Sequence, residues 1–314
     1  MDQDSVTTAE NRGNFYEALC AAAARLPDKF IFFSLLAAWF LLFQFLGHCS
    51  FNFAKTPSLF EWMYNAYNTE ALDSKHGQVI PFVVLALLWV RREALLQTMG
   101  GVWWPGLFLL AVALAMHLLG YFAQQPRLSI VAFYFGLYAL CGLAWGRGFL
   151  RATFFPFILF AFAIPLGTFV EPLTFKLQLL AARATTWVTH DLLDIKLERI
   201  GTKLLDAHGT PYEVVAACSG IRSFFALLAI TVIFAMLEFK SLWRRALIIF
   251  FTIPLAFVCN VLRLSALIVA AQAYGPKAGY YVHESFWIVT YTISVGSLFL
   301  VARWLREKPE RLQP

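Results

Sequence analysis

The sequence predicts an all-α polytopic membrane protein: about eight transmembrane helices, with an outer amphipathic helix and a small hairpin before the sixth span. Three observations predict it. Of the 314 residues, 60% are hydrophobic and only 14% charged, whereas soluble domains carry about a quarter charged residues. Aromatic residues make up 17%, with 32 Phe among them. Several apolar runs approach or exceed the ~18 residues that mark a membrane-crossing helix.

The N-terminal segment 1–28 is polar and partly acidic, unlike a cleavable signal peptide. A single membrane-embedded domain, 29–304, follows. Its expected spans are 30–46, 79–90, 103–122, 128–145, 152–170, 219–237, 247–273 and 285–304. The second is the shortest, ending at Arg91-Arg92, and must extend back toward His76 to cross. Basic residues in short loops set orientation. With the N-terminus in the cytoplasm, Arg91, Arg92, Arg147, Arg151, Lys240, Arg244 and Arg245 fall inside, against Arg127 and Lys277 outside. Both termini, including the polar tail 305–314, are then cytoplasmic, and the long segment 171–217 is extracytoplasmic. Its first part, LTFKLQLLAARATTWVTHDLL, reads as an amphipathic helix. Its second, KLERIGTKLLDAHGTPYEVV, reads as two strands around Ala207-His208-Gly209.

Ionisable residues inside spans are costly and point to function. Arg263 lies within the seventh span, with Asn260 three residues earlier on the same helix face. Cys218 and Ser219 open the sixth span, Arg222 follows one turn deeper, and His283 precedes the eighth. The expected topology brings Cys218, Arg263 and His283 to one depth near the outer surface. A cysteine attacks as thiolate, and a helix N-terminus with nearby cations lowers its pKa. A fixed guanidinium can hold the oxyanion of an attacked carbonyl. An imidazole can protonate a leaving amine. The competing readings are plain. Arg222 can snorkel to the surface, Arg263 can pair with a carboxylate, and His283 can be a loop histidine. The chain would then be a transporter or a non-catalytic scaffold. Cys20, Cys49, Cys141 and Cys259 follow no metal or disulfide spacing and read as structural. His48, His117, His190 and His208 do likewise. No cofactor, metal or nucleic-acid signature is present.

ACSGIRS at 217–223, NVLRLSALI at 260–268 and YGPKAGYYVHESFW at 274–287 together resemble the exosortase/archaeosortase family. The resemblance reaches back to about residue 72. SKHGQVIP at 74–81 is similar to the family's His-Gly segment, and FAIPLGTFVEPLTFKLQ at 162–178 to its Pro-containing segment. The run HESFWIV lacks the Gly that the family pattern places soon after the histidine. The resemblance implies a multi-pass inner-membrane cysteine protease or transpeptidase. Cys218 would be its nucleophile, with Arg263 and His283 completing the catalytic set. Arg222, Asn260 and Ser219 would support them, and His76 and Gly77 would help bind substrate. It also implies the substrate: a secreted protein ending in a Pro-Glu-Pro-type motif, a transmembrane helix and a basic tail. Cleavage passes through a thioester to an acceptor nucleophile that the sequence does not name. The partners are thus the tailed substrate and membrane lipid, and no cofactor is implied.

Overall fold

The structure is a computed structural model that describes residues 15–50, 53–69, 75–166, 171–206, 211–213 and 221–305. Side chains are described over the same residues except at Glu171, Thr174, 206, 211–213, 221–223, Pro276, His283, Glu284 and Trp287. The chain divides into two compact units, 1–69 with 74–165, and 70–73 with 166–314.

The first unit contains α1 (Phe15–Ala24), α2 (Lys29–Phe45), α3 (Leu59–Asn68), a 3₁₀ turn (Lys75–Gln78), α4 (Ile80–Val90), α5 (Arg92–Thr98), α6 (Pro105–Phe122) and α7 (Pro126–Ile158). Its central feature is a reversal inside α7. Gly146 has φ 86° and ψ 175°, far from helical values. A straight helix would set Tyr134 and Phe160, 26 residues apart, about 39 Å from each other, yet their rings stack at 4.1 Å. The Tyr138 hydroxyl likewise donates to the Leu150 carbonyl at 2.8 Å. The helix therefore folds into two antiparallel legs at Gly146, a left-handed position that glycine adopts freely. The segment leading into α6 closes over this turn: Gly100 N–H donates to Trp145 O at 2.9 Å and Trp103 N–H to Leu143 O at 3.0 Å. These legs match the expected spans 128–145 and 152–170.

The ends of this unit alternate as the span order requires. Arg25 meets Glu93 at 2.8 Å, and the Trp145 indole donates to Pro27 O, so residues expected on the cytoplasmic side gather at one end. At the other, Cys49 donates to Tyr121 O and Arg127 Nε to Pro165 O at 2.6 Å. There α3 is an addition to the sequence reading. Ser58 caps it by accepting from Glu61 N–H at 3.3 Å, and Ser-x-x-Glu is the signature of such a start.

The second unit contains α8 (Glu171–Thr186), a π-helical turn (Trp187–Leu192), strands β1 (Leu197–Ile200), β2 (Lys203–Asp206) and β3 (Pro211–Glu213), then α9 (Ile221–Glu238), α10 (Leu242–Tyr274) and α11 (Pro276–Trp304). The strands form an antiparallel meander in the order β1-β2-β3. The expected pairing across 207–209 is β2 with β3. A second hairpin, not foreseen, joins β1 to β2 at Gly201, where φ is 65°. Ala207, His208 and Gly209 themselves lie outside the described residues. Ala181 and Ala182 of α8, with Leu197 and Leu204 of the sheet, pack on Leu264 and Ile268 of α10. The segment 171–206 is thus held against α10 directly beside Arg263.

By length and composition, three described helices can cross a membrane: Pro105–Phe122, Pro126–Ala163 and Leu242–Tyr274. A fourth is gained if Phe15–Ala24 and Lys29–Phe45 count as one span despite a 103° bend. Lys75–Val90, Phe224–Glu238 and Ile288–Trp304 are apolar but shorter. The expected count of eight is not reached by this measure. α4 is short for a crossing: its 11 residues rise about 17 Å, against a hydrocarbon core of ~30 Å, whereas α9 and α11 are counted here only over the residues whose side chains are described. The chain is nonetheless a helical, multi-pass membrane protein with a small antiparallel sheet.

Candidate active site

The α10–α11 pair is a hairpin turning at Gly275 (φ 87°), with Pro276 opening α11 at a position where its missing N–H costs nothing. Close approach fixes its register. A Cβ at Gly279 would lie 2.7 Å from that of Ala271. Further along, Ser294 Oγ donates to Cys259 Sγ at 3.1 Å. Between these points sits Arg263.

Arg263 lines a cavity of about 20 Å³ with Leu227 of α9, Ala256, Cys259 and Asn260 of α10, and Thr290, Tyr291 and Ser294 of α11. That volume is about what one water molecule needs. Asn260, Thr290 and Ser294 are buried, at 7%, 8% and 4% exposure. A guanidinium at this depth is therefore surrounded by amide, hydroxyl, phenol and thiol groups rather than by hydrocarbon alone. Such an array lowers the cost of keeping the charge in place.

The sequence foresaw Arg263 and Asn260 together. It did not foresee Thr290, Tyr291, Ser294 or Cys259. The first and third of these are one helical turn apart, at i and i+4, and so share a face. That spacing was a readable signal, but its target is set only by the hairpin register. Cys259, expected to be structural, is buried in the wall of this cavity.

His283 is placed differently from the expectation. It is not in a loop ahead of the last span: α11 begins at Pro276, so His283 lies inside the helix. On the register set by Gly279 and Ser294, its backbone comes level with residues 267–270. That is one to two turns nearer the Gly275 turn than Arg263. Its side chain lies outside the described residues, as do Cys218 and Ser219 altogether. Arg222 stands in the first turn of α9, five residues ahead of Leu227 in the cavity wall, with its side chain likewise undescribed.

His76 and Gly77 belong to the first unit. Gly77 is buried in the 3₁₀ turn against Tyr67, and a Cβ there would lie 2.7 Å from Tyr67 Cε1. The Tyr67 hydroxyl donates in turn to Ala163 O. Gly77 thereby packs the His-Gly segment on the residue that ties down the Pro-containing segment. Gly77→Ala should displace Tyr67 and cost about 1–3 kcal/mol, read as a lower Tm in detergent.

The other described histidines do not line the Arg263 cavity. His117 Nδ1 lies 3.2 Å from Ser129 Oγ, and His190 lies 3.2 Å from Asp191 on the surface. Burial lowers the pKa of His48, in the loop after α2. Among the described residues, no three His, Cys, Asp or Glu side chains form a metal-holding group.

The family model of the transmembrane exosortases (Exosortase_EpsH) matches residues 69–300, and the chain belongs to that family. Membership makes it one of a group of transmembrane protein-sorting enzymes that act on C-terminal sorting signals. No curated protein and no solved structure gives a significant match.

Proposed function

We propose that this protein is a cysteine protease or transpeptidase that removes the C-terminal sorting signal of exported proteins at the outer edge of the membrane. The observation that carries the proposal is Arg263, held at depth in a polar, water-sized cavity of α10 and α11, in a family of sorting enzymes. The Cys218 thiolate attacks the carbonyl carbon of the scissile peptide bond. Arg263 stabilises the oxyanion that forms. Collapse breaks the C–N bond, and the amine leaves with a proton from His283, giving a thioester on Cys218. Water or an amine then resolves the thioester and frees the thiol. Asn260 and Ser219 support the charged groups, and Arg222 favours the thiolate.

The substrate is a secreted protein with a Pro-Glu-Pro-type motif, one transmembrane helix and a basic tail. Anchoring in the same bilayer presents the motif to the site at high effective concentration. The test is co-expression with such a tailed protein and mass analysis of its new C-terminus. Cleavage at the motif supports the reading. An intact tail in the presence of a folded, membrane-inserted enzyme overturns it.

The site is extracytoplasmic in this reading, because the short basic loops stay inside. A maleimide that cannot cross membranes should label a cysteine introduced in 171–206 in intact cells. Labelling only after permeabilisation would reverse the orientation.

A further inference from the structure

One face of α11 carries a packing stripe that stays largely open: Val295 touches the α9–α10 core and Phe299 meets the Phe234 ring of α9 at 5.2 Å, while Ile288, Thr292 and Gly296 are exposed. Ile288, Tyr291, Thr292, Val295, Gly296 and Phe299 fall at i, i+3, i+4, i+7, i+8 and i+11, the stripe that a helix normally buries against a neighbour. In the second unit this stripe instead lines an open, mostly apolar groove of about 510 Å³. The adjoining face, through Thr290, Ser294, Leu298 and Ala302, is buried toward the rest of the unit.

The groove continues at both ends. At its upper end Tyr291 lines both the groove and the Arg263 cavity. At its lower end Phe299 lines a second recess, of about 420 Å³, bordered by Glu238 of α9 and Arg303 of α11. From Ile288 to Arg303 the path is about 22 Å at 1.5 Å per residue, most of a hydrocarbon core of ~30 Å. At Gly296 an added Cβ would meet nothing within 4 Å. Small residues such as Thr292 and Gly296, four apart, allow two membrane helices to approach closely.

We infer that this groove is the docking surface for the transmembrane helix of the sorting signal. The inference rests on the function proposed above. Continuity with Arg263 selects the occupant. A helix lying along the stripe delivers the residues just before it to the level of Tyr291 and the guanidinium.

The test uses the full chain with Cys218→Ala, so that docking is read without cleavage. A benzophenone amino acid is placed at Thr292, and at the exposed Val258 of α10 as control. The probe is a reporter protein ending in a Pro-Glu-Pro motif, an apolar helix of about twenty residues and a Lys/Arg tail. Irradiation should cross-link the reporter from position 292 at least about fivefold more than from position 258. Equal yields from both, or a cross-link from 292 to a second copy of the enzyme, would overturn the inference. With Cys218 restored, Gly296→Trp fills the groove and should lower processing at least about tenfold at normal membrane level, while Val258→Trp should not. Normal processing by Gly296→Trp would also overturn it. Cross-linking without any cleavage by the Cys218 enzyme would leave the docking site standing and remove the protease assignment.

Discussion

Cys218→Ala should abolish processing of a tailed substrate while the protein remains folded and membrane-inserted. Removing the nucleophile of a covalent mechanism leaves only what binding and oxyanion contacts supply, so the loss should exceed about 10³-fold. Stability should change little, since one small side chain beside a helix start is removed. The decisive companion is Cys259→Ala. Cys259 is the thiol seen in the wall of the Arg263 cavity, but it sits buried and accepts a hydrogen bond from Ser294. A thiol enclosed between two helices is not presented to a peptide bond. Cys259→Ala should therefore retain activity within about threefold. Mass analysis of the reporter's C-terminus reads both variants. Inactivity of Cys259→Ala together with activity of Cys218→Ala would move the nucleophile one turn below Arg263 and remove Cys218 from the chemistry.

Apolar length was enough to find the helices, because in lipid every crossing segment must satisfy its own backbone hydrogen bonds. Each expected span has a described helix over most of its residues. What length does not reveal is how helices end. The expected last span begins at 285, after His283, but Pro at a first helical position starts a helix at once, so α11 begins at Pro276 and takes in His283. Gly146 is the converse case. Arg147 and Arg151 correctly marked a reversal, yet the reversal takes a single left-handed glycine rather than a loop. The short helix α3 carried a legible cap at Ser58 and Glu61, but it lies outside any apolar run. At the site, Arg263 stood out because charge in a span is rare. Thr290, Tyr291 and Ser294 did not, since hydroxyls are ordinary in membrane helices and acquire meaning only from the partner across the hairpin.

Arg263→Lys should be severely impaired, by about 10²–10³ in rate, with protein at normal level. Two effects compete in this substitution. The charge is kept, which favours a mild outcome for any role that needs only a cation. The planar fork and its fixed donors are lost, which favours a severe outcome for a role that needs aimed hydrogen bonds. The surroundings decide between them. The cavity wall offers Asn260, Thr290, Tyr291 and Ser294 in a space for about one water, so the guanidinium is confined and its donors have set directions. An ammonium on a shorter, more hydrated head cannot reproduce those directions. A purely structural arginine predicts the opposite pattern: lysine suffices for activity, and any defect appears as lost protein in the membrane. Arg222→Lys is the comparison. Arg222 stands in the first turn of α9; in the proposed mechanism its role is to act on the thiolate through its charge, which lysine keeps, so this variant should lose no more than about tenfold. The two variants are read by the rate of reporter cleavage at matched membrane level. If Arg263→Lys cleaves at a near-normal rate while Arg222→Lys is inactive, the oxyanion contact belongs to α9, and the cavity between α10 and α11 serves packing instead.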